Sequence, residues 1–225
     1  EAGKLRVFEK ISARQQFKQI LTSLQATSHP WLTWKDTINV RALNNNTGTI
    51  HLSNLCTEIT LPQDKDNIAT CNLVSINLTA FLREDKTWDW DRLQEASRAA
   101  IRQLDNLIDI TETPVKEAMH ANQQTRAVGL GMMGFSDVLE KLGYCYESSE
   151  AYELIDQLTE FISYHAIDQS ADLAAKVGSY PTYKGSGWSK GVLPIDTVAE
   201  LSNNRKVKVK IDNKTRLDWD KLRKK

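Results

Sequence analysis

The chain has 225 residues, 40% apolar and 26% charged, enough for a sizeable core and ordinary for a globular protein. Lys plus Arg and Asp plus Glu both number 29, so the formal net charge is zero and lends no support to a nucleic-acid binder, which carries a basic surplus. No apolar run approaches the roughly 20 residues of a membrane helix, no signal-peptide pattern opens the chain, and the three scattered cysteines, Cys56, Cys71 and Cys145, fit neither a disulfide framework nor a CxxC metal site, which points to a reducing, cytoplasmic setting.

Residues 5–26 are predicted helical, with Leu5, Phe8, Ile11, Phe17, Ile20, Leu21 and Leu24 at helical spacing and His29-Pro30-Trp31 as the break. Residues 38–62 read as a loop with short extended pieces around the turn-forming Asn44-Asn45-Asn46-Thr47-Gly48. A strand-like apolar run follows from Leu73 to Leu82. Residues 89–110 form an amphipathic helix through Leu93, Ala96, Ala100, Ile101, Leu104, Leu107 and Ile108, and Trp88 and Trp90 in Thr87-Trp88-Asp89-Trp90-Asp91 read as a helix entry with Asp capping. Thr113-Pro114 starts another helix. A short helix near 134–142 stops at Gly143, and a long one spans 149–177 and stops at Gly178. Residues 179–195 are a Gly/Pro-rich loop, and Val207, Val209 and Ile211 alternate with Lys as in a short exposed strand. The stretch 205–225 holds ten basic and three acidic residues and reads as a solvated face. The chain opens on Glu1 and ends in Leu222-Arg223-Lys224-Lys225 on a helix just started, so both ends are expected to be cut from something longer.

The informative segment is Ser53-Asn54-Leu55-Cys56-Thr57-Glu58-Ile59. If it is extended, Asn54, Cys56 and Glu58 fall on one side and converge on a small ligand. The thiol can lose a proton or a hydrogen atom, the carboxylate can act as a base, and the amide suits a diol. A cysteine in an apolar strand is more often a small core residue than a nucleophile.

A second thiol sharpens the pattern. Cys71 follows in "CNLVSINL", fifteen residues after Cys56. "SNLCTEI", a short acidic spacer and "CNLVSINL", preceded by "HPWLTWKDTINVR" and followed by "RAVGLGMMGFSDVL" and "GSGWSKGVLPIDT", resemble the large, catalytic subunit of ribonucleotide reductase over about residues 10–225. The resemblance implies an α/β fold: part of a ten-stranded α/β barrel with Cys56 on a sheltered finger loop and helices outside. It makes residues 1–225 a partial barrel domain, without the N-terminal regulatory part, the first half of the barrel or the C-terminal part. Cys56 resembles the cysteine that becomes a thiyl radical and takes the 3′ hydrogen of a ribonucleotide. Glu58 resembles the base for the 3′-hydroxyl, and Asn54 the amide that holds the substrate hydroxyls. Cys71 resembles one of two reducing cysteines that end as a disulfide, its partner lying outside this chain.

The same resemblance implies a ribonucleoside diphosphate substrate and no cofactor within the chain. It implies a radical delivered by a separate metal-bearing small subunit, with an adenosylcobalamin-dependent relative as the alternative. Thioredoxin or glutaredoxin would act as reductant, nucleotide effectors would bind mainly elsewhere, and the large subunit would be a homodimer; neither nucleic acid nor membrane is a partner. A rival reading is a non-catalytic piece that only completes an assembly. Three features are read as bland. Gly129-Leu130-Gly131-Met132-Met133-Gly134 is a literal GxGxxG, but it lacks the preceding strand of a dinucleotide fold and is expected to pack a helix start. Cys145 is expected to be a packing residue. His29, His51, His120 and His165 have no zinc-ligand spacing.

Overall fold

The computed structural model describes residues 8–212 and 214–225. The chain divides into two compact units, Glu1–Lys35 and Asp36–Lys225. The first contains helix α1 (Ala13–Thr27), which ends where Ser28 turns left-handed and its N–H bonds back to Leu24 O at 2.8 Å. The helix expected over 5–26 starts later than its apolar spacing suggests. Residues 8–12 are not helical and 5–7 lie outside the described residues. Ser12, extended at φ −72° and ψ 122°, stands at the boundary without a side-chain capping bond.

The second unit opens on α2 (Lys35–Arg41) and a 3-10 turn, Asn45–Thr47. Strand β1 (Leu73–Asn77) follows, then the 3-10 turn Leu78–Phe81, α3 (Trp90–Ile110), α4 (Lys116–Thr125), strand β2 (Gly129–Met133), α5 (Phe135–Leu142) and α6 (Ser149–Val177). Three short 3-10 turns lead to α7 (Thr197–Arg205), and α8 (Trp219–Lys224) comes last. β1 and β2 pair in parallel, Leu73 opposite Gly129 through Asn77 opposite Met133.

The long helices are locally determined. Asp89 caps α3 by accepting from Arg92 N at 3.2 Å, and Ser148 caps α6 by accepting from Ala151 N at 3.1 Å. α5 closes in a Schellman motif: Tyr144 N bonds Leu139 O at 2.9 Å, Gly143 N bonds Glu140 O at 3.1 Å, and Gly143 is left-handed at φ 78°. One core joins these pieces, with Ile76 from β1, Leu78 and Phe81 after it, Leu93 from α3, Val138 and Leu139 from α5, and Leu154, Leu158 and Ile162 from α6. Leu78, Leu93 and Leu158 are fully buried, each worth about 1.5–3 kcal/mol of transfer from water.

The expected α/β class, a segment of a ten-stranded barrel, is overturned. The described residues are mostly helical, and their strands form a single open pair. A closed barrel gives every strand two hydrogen-bonded neighbours, whereas β1 and β2 have one each among the described residues. Two segments expected to be extended fold otherwise. The run around Cys56 is a turn, and 207–211 has no ladder partner among the described residues, Val209 N donating instead to Ser202 Oγ at 3.1 Å. The apolar run from Leu73 leaves the strand after Asn77 because Asn77 Oδ1 accepts from Thr79 N and Oγ1, which winds the chain into a turn. Within 38–62, α2 replaces the start of the expected loop. The basic C-terminal stretch is also more than a solvated face. Arg216 is held by Glu153, Asp156 and Glu160 of α6, Arg223 by Asp196, and Lys225 by Asp168 and Asp172.

Candidate active site

The loop from Ser53 to Ile59 brings two of its three expected site residues into contact, by a route other than an extended strand. Thr57 N donates to Asn54 O at 3.1 Å, reversing the chain at Leu55 and Cys56. Thr57 is left-handed at φ 66°, an outlier for a β-branched residue, and its hydroxyl bonds the Cys56 carbonyl at 2.6 Å. Asn54 Nδ2 donates to Glu58 Oε1 at 2.6 Å, a charge-assisted bond. Asn54 Oδ1 accepts from Ile59 N at 3.1 Å, and Ser53 Oγ donates to Ile59 O at 2.7 Å. Cys56 sits at the tip.

Cys71 joins them from the segment leading into β1. Its thiol lies 3.9 Å from Glu58 Oε1, a long sulfur contact. Burial pushes the Cys71 thiol above its ordinary value, and the Glu58 carboxylate and the Cys56 sulfur push it further the same way. The thiol therefore stays protonated at neutral pH. Next to it, Asn72 is buried, with Nδ2 donating to Asn122 Oδ1 of α4 at 2.7 Å and to Ala127 O at 3.1 Å, while Asn72 O accepts from Gly129 N at 2.9 Å. Cys71 is thereby anchored to α4 and to the first residue of β2.

Glu58 lines a cleft of about 440 Å³ with Thr60, Asn72, Ser75, Gly129 and Gly131. Gly129 and Gly131 of the GxGxxG run thus border the cleft, but as part of a strand and not of a phosphate turn. Gly129–Met133 is itself the strand β2, and Gly134, left-handed at φ 77°, leads into α5. A side chain at Gly134 would come within 2.9 Å of Asn77 Oδ1. The sequence signal missed here was the strand; two glycines in five residues hide it.

Asn54, Cys56, Glu58 and Cys71 are all exposed, so the shelter a radical centre needs is not supplied by the described residues. Cys145, expected to pack, is exposed in the turn after α5, its carbonyl accepting from Ser148 N at 3.0 Å. Among the described residues no group of three or more His, Cys, Asp or Glu side chains could hold a metal ion. No helix among them is long and apolar enough to cross a membrane.

Comparison with known proteins fits this constellation. The family model described as "Ribonucleotide reductase, barrel domain" matches residues 1–225. The chain is 44% identical over 224 residues to the ribonucleoside-diphosphate reductase subunit alpha of Chlamydia muridarum, covering 99% of this chain and 21% of that protein. It is 37% identical over 207 residues to the large subunit of Danio rerio, 90% of this chain and 26% of that one. It is 39% identical over 186 residues to the variola virus large subunit, 83% of this chain and 24% of that one. The chain thus spans about a fifth to a quarter of the length of these relatives. With a match along its whole length and a thiol, amide and carboxylate gathered on one loop, the chain belongs to the ribonucleotide reductase large-subunit family.

Proposed function

We propose that this chain carries the radical loop of a ribonucleoside-diphosphate reductase and works with further segments of a large subunit. The observation that carries the reading is the grouping of Asn54, Glu58 and Cys71: amide to carboxylate at 2.6 Å, thiol to the same carboxylate at 3.9 Å, with Cys56 between them in the chain.

In this reading the Cys56 thiyl takes the 3′ hydrogen atom of the substrate. Glu58 takes the proton of the 3′-hydroxyl, Asn54 holds the hydroxyl pair, and the 2′-hydroxyl leaves as water. Cys71 and a second cysteine outside this chain give up two hydrogen atoms and join as a disulfide, and the 3′ hydrogen returns from Cys56. The balance is ribonucleotide plus two thiols to deoxyribonucleotide, water and disulfide. The raised Cys71 thiol supports its part as a hydrogen donor, and the Asn54–Glu58 bond marks where a substrate hydroxyl would insert. The disulfide would then be returned to thiols by a thioredoxin or glutaredoxin. The radical would arrive from a separate metal-bearing subunit, a reading supported by the relatives' designation as subunit alpha.

The test is Cys56→Ser in the full-length reductase that carries this chain. Turnover is expected to vanish while nucleotide binding persists, because serine keeps the shape and forms no thiyl. Turnover that survives the substitution would overturn the assignment.

A further inference from the structure

The loop bearing Asn54, Cys56 and Glu58 is closed at its base by side chains, not by a backbone ladder. Ser53 Oγ donates to Ile59 O at 2.7 Å, and Ile59 N donates to Asn54 Oδ1 at 3.1 Å. Both main-chain polar groups of Ile59 are thus held by two consecutive side chains. The backbone bond described inside the loop is Thr57 N to Asn54 O, which shapes the tip and leaves the base open. The Ser53 hydroxyl also lies 3.3 Å from Asn54 Oδ1, but it has one proton, and the shorter, half-buried contact to Ile59 takes it.

This arrangement fixes the orientation of Asn54. Its Oδ1 is committed to Ile59 N, so its Nδ2 is turned toward Glu58. If Ile59 drifts, Asn54 loses the bond that sets its rotation, and Glu58, its chain neighbour, moves with it. We infer that Ser53 is a positioning residue for the reductase reaction: its hydroxyl pins Ile59 and thereby sets the spacing of the Asn54 amide and the Glu58 carboxylate around the substrate hydroxyls. The role rests on the assignment of Asn54, Cys56 and Glu58 under the proposed function.

Ser53→Ala, Ser53→Thr and Ser53→Val in the full-length reductase test it, with Cys56→Ser measured in parallel. Thr and Val have nearly the same volume, and only Thr keeps the hydroxyl, so that pair decides the question even if the Ala variant does not fold. Ser53→Val and Ser53→Ala are expected to lower kcat by about 10- to 100-fold, as loss of alignment at a reacting centre does, with KM for the ribonucleoside diphosphate changing far less. Ser53→Thr should restore most of the rate. Equal rates for the Thr and Val variants would overturn the role, as would a loss confined to KM. Inactive Cys56→Ser with equal Thr and Val variants removes only the positioning role; active Cys56→Ser removes the site and this role together.

Discussion

Glu58 stands between two partners, the Asn54 amide at 2.6 Å and the Cys71 thiol at 3.9 Å. After burial, its charge is the largest influence holding the Cys71 thiol above its ordinary range. Glu58→Gln removes that charge, so Cys71 should ionise at lower pH and react faster. At pH 8, alkylation by iodoacetamide, followed at Cys71 by peptide mass, should speed up, since the thiolate is the reacting form; an unchanged rate would show that the carboxylate does not press on the thiol. Asn122→Ala should lower stability by about 1–3 kcal/mol in denaturant melts, because it removes the nearer of the two acceptors of the buried Asn72 amide. The residue types of the site were legible in the motif, since a thiol flanked by an amide and a carboxylate is visible as letters. Their geometry was not. The extended reading placed the three on one side of a strand, whereas the left-handed Thr57 builds a turn, and a β-branched residue gives no warning of that conformation.

At the level of elements, legibility followed the length of the periodic pattern. α3 and α6 run long enough for a 3.6-residue repeat to stand out, and each opens on a capping residue that the structure uses. α2 and α7, of seven and nine residues, are too short to repeat: the end of α2 falls inside the loop expected over 38–62, and no element was expected over α7. β2 was hidden because its glycines disfavour a strand, and only pairing with β1 selects it. Asp89→Ala should cost about 1 kcal/mol by removing the α3 cap, read as a shift in the denaturant midpoint without a change of slope. Gly134→Ala should cost about 1–2 kcal/mol, since alanine resists φ 77° and its Cβ would crowd Asn77 Oδ1 at 2.9 Å. Gly129→Ala should be milder: its nearest obstacle is the end of the Leu73 side chain, which is 48% exposed and can swing away.

Across the whole molecule, charge clusters tie α3, α6 and α8 together. Arg98 of α3 and Lys225 meet Asp168 and Asp172 of α6. Burial alone would raise Asp168, but hydrogen bonds from Lys225 and Arg98 outweigh it and hold the group below its ordinary 3.8; the same two partners lower Asp172. A carboxylate lowered in the folded state stabilises above its unfolded value, and that contribution fades as pH falls through the folded one. The melting temperature should therefore drop below about pH 4, and Asp168→Asn should flatten that drop while lowering stability at pH 7. An equally steep acid limb in the variant would place the sensitivity elsewhere. The barrel expectation failed at this scale because strand pairing is long-range, and the resemblance describes proteins of which this chain spans about a fifth to a quarter. What the two observed strands do provide is a ruler. Cys71 lies two residues before Leu73, whose partner is Gly129. A slip of one residue would turn every side chain of β1 to the opposite face. A slip of two would carry the thiol about 6.6 Å along β2, as far as the whole Cα separation over which two cysteines can bond. The notch at which β1 meets β2 therefore sets where along β2 the Cys71 thiol stands, and with it the reach of that thiol.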